Sequence, residues 1–129
     1  MEFETYQQQA HTTADYRKDI TFTVAEDLGY DDTTEGRKTD FYPVSAYPFI
    51  KIGSESAEVG EKVIKLALRG DKGAIPDGDL IKELGDVLWY VSECCTAMSV
   101  SLEYVASTNL QKLTDRANRG KIHGSGDNR

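Results

Sequence analysis

Two acidic pairs share one spacing. Glu55 and Glu58 stand three apart in "ESAE", and Glu83 and Asp86 stand three apart in "ELGD". On helices, residues three apart lie on one face. Each pair therefore aims two carboxylates the same way, and antiparallel packing of the two helices would bring all four together. Four anions in one place need compensation. A hard divalent cation with oxygen preference supplies it: Mg²⁺, with Mn²⁺ as its substitute.

The acids continue as stripes. Glu83, Asp86, Tyr90 and Glu93 recur at +3, +7 and +10. Glu55, Glu58, Lys62 and Lys65 repeat that spacing, as do Asn109, Lys112, Arg116 and Arg119. The cationic members could hold a polyphosphate beside the metal. The ordinary reading of any one stripe is a solvated helix face, and Glu58 with Lys62 is also a common i,i+4 pair. Three stripes placed alike beside apolar faces give the metal–phosphate reading its weight.

The elements that must position these residues are helices. The first runs through "FETYQQQAHTTADYR", the second from about Phe49 to Arg69, and the third from near Pro76–Asp79 to about Met98. The fourth is "LEYVASTNLQKLTDRAN", with Ser101 as N-cap and a stop near Gly120. Pro76, Asp77 and Asp79 suit a helix start. "ITFTVAEDLGY" reads as a strand or a short helix, and "DDTTEGRKTDFYPVSAYP" as a long loop. Core faces are expected at Ile52, Val59, Val63 and Leu66, at Leu80, Leu84, Val87, Val91 and Met98, and at Leu102, Ala106, Leu110, Leu113 and Ala117.

Short connections favour antiparallel neighbours. The expected fold is all-α: an antiparallel bundle of about four main helices, oligomerising through helix faces. Ala57, Ile64, Leu68 and Trp89 add apolar surface that one small bundle covers poorly, which points to a homodimer or homotetramer. One domain spans 1–129, with a variable loop at about 30–48 and a mobile tail at about 120–129.

The net charge of −7 argues against a nucleic-acid surface binder but allows a nucleotide ligand. No apolar run is long enough to span a membrane, and "MEFETYQQQA" has no signal-peptide pattern. A cytoplasmic place is expected, in a bacterium or in the host if the gene is phage-borne. Cys94 and Cys95 are poorly placed to bridge each other and fit a reducing compartment. His11 and His123 lack ligand spacing and read as surface residues, and Glu93 as a solvated continuation of its stripe.

"ESAEVGEKVIK" followed by "ELGDVLWYV" resembles the MazG-like nucleotide pyrophosphohydrolases of the all-α NTP pyrophosphatase superfamily. "YQQQAHTTADY", "YPFIKIGSE" and "SLEYVASTNLQKLTDRANRG" resemble its opening, approach and closing segments, in that order. The resemblance implies hydrolysis of a nucleoside triphosphate between its α- and β-phosphates, giving a monophosphate and pyrophosphate. Glu55, Glu58, Glu83 and Asp86 would be the catalytic metal-binding set, with Glu55 as candidate base. Lys62, Lys65, Asn109, Lys112 and Arg116 would bind phosphate, and Tyr90 the sugar or base. Deoxynucleotides are the expected substrates, with a guanine preference. Ser54 stands where many members carry a further glutamate, which bears on metal number and on the identity of the base, and Ala57 stands where a glycine is common. Alternative readings are a phosphoribosyl-ATP pyrophosphohydrolase-like enzyme and a non-catalytic oligomerisation module. The tail offers Lys121 and Arg129 as phosphate clamps or a disordered end.

Overall fold

The computed structural model describes residues 1–68 and 73–120. The element order is α1 (Phe3–His11), β1 (Thr21–Asp31), β2 (Gly36–Ser45), α2 (Tyr47–Leu68), α3 (Asp77–Ala97) and α4 (Leu102–Asn118). The expected tail, with Lys121, His123 and Arg129, and the expected helix end at Arg69 lie outside the described residues.

The four helices form where their sequence signals lie. Pro76 precedes α3, with Asp77 and Asp79 in the first turn. The Ser101 side chain accepts from the Tyr104 backbone N–H, so the expected N-cap of α4 is made. The α3–α4 turn closes tightly: Val100 N–H donates to the Cys95 carbonyl at 3.0 Å, with Ser99 in the left-handed region at φ 57. Gln7 of α1 ties that turn down. Its amide nitrogen donates to the Val100 carbonyl (2.9 Å), and its oxygen accepts from Leu102 N–H (2.8 Å). One side chain thus satisfies two turn groups that would otherwise need water.

The all-α expectation needs correction. The segment expected as a long loop is mostly strand. β1 and β2 form an antiparallel two-stranded sheet that pairs Phe22 with Val44, Val24 with Tyr42 and Glu26 with Asp40. β-branched and aromatic residues on both arms suit a pleated ribbon. Pro43 is tolerated because each strand of the ribbon has a free edge. The turn is built by Asp31, whose carboxylate accepts from both the backbone N–H (2.8 Å) and the hydroxyl (2.6 Å) of Thr33. A register shift between Asp27 and Tyr30 is absorbed by Gly29 at φ 88, a conformation glycine adopts without strain. The first helix also ends earlier than expected, at His11.

The buried apolar residues gather at one end. Ala10, Val44, Ala46, Cys95 and Leu102 bring α1, the base of the hairpin, the end of α3 and the start of α4 together. Elsewhere the expected core faces are only partly covered in the single chain. Leu84 is 57% exposed and Leu110 63%, with Val63 and Leu113 also exposed. Ile52, Val59, Leu66, Leu80, Val87 and Val91 are half-buried, so the single chain covers part of the faces that the periodicity marks. Among the described residues no helix is long and apolar enough to cross a membrane.

Candidate active site

α2 and α3 pack antiparallel, and two contacts fix their register. The Lys62 ammonium sits on Glu83 Oε1. Eleven residues earlier on α2, Lys51, which pairs with Glu55, lies over the ring of Tyr90, seven residues later on α3. Glu58 and Asp86 fall between these two contacts along their helices. Both acidic pairs therefore lie on neighbouring antiparallel helices.

Charge compensation is visible. Glu55 holds Lys51 at 3.0 Å, and the carboxylate is largely shielded. Lys51 and Lys62 both have raised pKa values, caused first by their hydrogen bonds to Glu55 and Glu83 respectively. Lys62 also feels Asp79 and Glu58. Positive charge is thus what this face holds, and four carboxylate oxygens are the donor type Mg²⁺ takes. The residues fit that ion by the chemistry of their donor atoms. Even so, no group of three or more His, Cys, Asp or Glu side chains converges to metal-holding distance among the described residues. Glu58 and Asp86 remain exposed.

The other expected ligands are not all gathered here. Lys65 reaches Glu61 at 3.8 Å on the outer surface of α2. Asn109 and Lys112 line a mainly apolar groove of about 580 Å³ beside Leu88, Val91 and Val105. Arg116 is buried, at 4% exposure.

Tyr90 belongs to an aromatic wall that the spacing did not reveal. Tyr47, at the start of α2, lies 6.4 Å from it, and Trp89 meets it edge-on at 4.8 Å. Lys51 lies over the Tyr90 ring at 5.9 Å from the centroid. Tyr16 stacks on Tyr47 at 5.3 Å. Burial first, then Tyr47, raises the Tyr90 pKa. The Trp89 indole N–H donates to Thr13 Oγ1 at 2.9 Å, so the side chain lies under the chain that follows α1. One signal for Lys51 was available: it stands four residues before Glu55 on the same helix, the spacing of an ion pair.

Glu93 corrects the sequence reading. It is not a solvated surface acid but fully buried, at 0% exposure. Its Oε2 accepts from the Tyr16 hydroxyl at 3.0 Å and pairs with His11 Nδ1 at 3.1 Å. His11 is 46% exposed, so it is a half-exposed partner rather than a free surface group. Cys94 and Cys95 are both free thiols, and burial pushes Cys94 up to about 11.

Residues 51–120 match the family model of the MazG nucleotide pyrophosphohydrolase domain. The chain belongs to that family. The matched stretch holds all four carboxylates, Lys62, Tyr90 and the whole of α3 and α4. The chain is also similar to a curated protein, the Gene 37 protein of Mycobacterium phage L5. The two are 42% identical over 87 residues, covering 65% of this chain and 75% of that protein. No solved structure matches. The hairpin lies before the matched segment, so the MazG family description bears on the helices and not on β1 and β2.

Proposed function

We propose that the protein is a Mg²⁺-dependent nucleoside triphosphate pyrophosphohydrolase. It takes a deoxynucleoside triphosphate and water to the monophosphate and pyrophosphate, with dGTP as the preferred substrate. The observation that carries this reading is the MazG match over residues 51–120, which spans both acidic pairs, and the antiparallel packing of α2 on α3 supports it.

Glu55, Glu58, Glu83 and Asp86 would hold the metal, Mg²⁺ or Mn²⁺. When bound, the ion supplies Lewis-acid polarisation of the α-phosphoryl group and a more acidic water. Glu55 accepts the proton of the attacking water, whose oxygen bonds to the α-phosphorus as the bond to the α,β-bridging oxygen breaks. Lys62 exchanges its Glu83 contact for phosphate oxygens. Lys65, Asn109, Lys112 and Arg116 stand apart from the acidic pairs in the single chain and would stabilise charge on the leaving pyrophosphate only where an assembly or bound substrate brings them to it. Tyr90 bears on the sugar or base, with Lys51 holding its ring face.

The open apolar faces on α2, α3 and α4 support a homodimer or homotetramer. Such an assembly would also give the α4 residues a second route to the carboxylates. Light scattering tests this: a monomer at micromolar concentration overturns it. The activity is tested by pyrophosphate release from a panel of dNTPs with Mg²⁺. Release from no nucleotide would favour a non-catalytic helical module instead.

A further inference from the structure

Glu93 is the largest fully buried side chain, and it is an acid. Nothing in the hydrolytic scheme uses it. Burying a carboxylate is costly unless donors replace water. Here the Tyr16 hydroxyl and His11 Nδ1 both go to one oxygen, Oε2, and among the described residues Oε1 receives no hydrogen bond. That imbalance makes Oε2 an anchor rather than a general sink for hydrogen bonds.

The anchor leads to the candidate nucleotide wall. Tyr16 donates its hydroxyl to Glu93. Its ring lies 7° from parallel with Tyr47 and edge-on to Trp89 at 6.2 Å. Tyr47 and Trp89 are the two aromatic neighbours of Tyr90. Tyr16 itself sits in the segment between α1 and β1, outside any regular element. A side chain there has no helix to hold it. Its place is set by the hydrogen bond at one end and the stack at its face.

We infer that Glu93 is a positioning residue, holding through Tyr16 the Tyr47–Tyr90 wall against which the sugar and base of the nucleotide rest. This rests on the nucleotide-hydrolase reading above. Glu93 touches no reacting atom. It sets nucleotide affinity and leaves the chemical step alone, because the wall contacts substrate and transition state equally.

The test compares Tyr16→Phe, Glu93→Ala and Glu93→Gln with the wild type. Tyr16→Phe keeps the stacked ring and loses only the hydroxyl, so it folds even where Glu93→Ala does not. Tyr16→Phe and Glu93→Ala should raise KM for the preferred dNTP roughly five- to tenfold, the size of one misplaced aromatic contact. Their kcat should stay within about twofold. Glu93→Gln keeps an acceptor oxygen and should restore KM to near wild type. The sole tryptophan, Trp89, touches both Tyr16 and Tyr90, so its emission reports the wall without substrate. It should shift in Tyr16→Phe and Glu93→Ala but not in Glu93→Gln.

Wild-type KM and emission in Tyr16→Phe, even with a lowered Tm, overturn the inference. So does a fall in kcat at constant KM, which would place Glu93 in the chemistry. If the wild type hydrolyses no nucleotide, the hydrolase reading fails. The emission arm then decides the Glu93–Tyr16 link by itself.

Discussion

Removing the Glu93 carboxylate should cost the fold more than any surface acid does. Glu93→Ala deletes the acceptor of two hydrogen bonds in a site with no exposure. A hydrogen bond to a charged group contributes about 1.5–3 kcal/mol, and a buried donor left unsatisfied adds to the loss. The Tyr16 hydroxyl loses its acceptor inside the protein. His11, at 46% exposure, recovers water and loses less. Together these give a loss of about 3–5 kcal/mol, a large part of the roughly 5–15 kcal/mol that holds a domain folded. Glu93→Gln keeps the Tyr16 contact and should lose about 1–2 kcal/mol, as should Tyr16→Phe. The assay is urea unfolding at one fixed protein concentration, because self-association would shift the midpoint. The double variant Glu93→Ala with Tyr16→Phe should show coupling of about 1 kcal/mol or more. A Glu93→Ala loss under about 1 kcal/mol, or full additivity with Tyr16→Phe, would refute the anchoring argument.

Two further outcomes follow from the charged surfaces. Lys62→Met removes an ion pair whose lysine is well exposed, so stability should change by less than about 1 kcal/mol. Loss of a phosphate contact should still lower kcat/KM about 10- to 100-fold, and an unchanged kcat/KM would make Lys62 a mere counter-ion to Glu83. On the hairpin, hydrogen bonding from Arg37, then from Gly29 N–H, holds Asp27 below its ordinary value of 3.8. A depressed carboxylate contributes stability that is complete above the unfolded pKa and is lost as pH falls through the folded one. Hairpin amide resonances should therefore begin to lose their dispersion as the pH falls below the ordinary carboxylate value of 3.8. Asp27→Asn should remove that dependence; an acid transition of the hairpin that survives the substitution contradicts the assignment.

Much of the site was legible because its signals are local. The i,i+3 acid pairs, the Ser101 cap and the acidic start of α3 each depend on neighbours within a turn or two. The same locality explains what was missed. Glu93 looks like one more member of a polar stripe until His11 and Tyr16 arrive from 82 and 77 residues away. The hairpin was hidden by turn residues and prolines, which outweighed a period-two pattern shared between two strands. Asp31 and Gly29 made those turn signals parts of a ribbon rather than of a loop. The apolar faces of α2, α3 and α4 were read correctly as faces, but periodicity cannot say whether a face is covered within one chain. Spacing and the family resemblance linked the two acidic pairs, and the structure sets them on neighbouring helices with Lys62 on Glu83.

The most direct test of the central claim is Mg²⁺-dependent pyrophosphate release, comparing the wild type with Glu58→Gln and Asp86→Asn. Each substitution keeps the side chain's size and removes one negative charge from the facing pair of helices. The account predicts release by the wild type that stops on chelation, and a loss of about 100-fold or more in both variants. Wild-type release rates in Glu58→Gln and Asp86→Asn would contradict it.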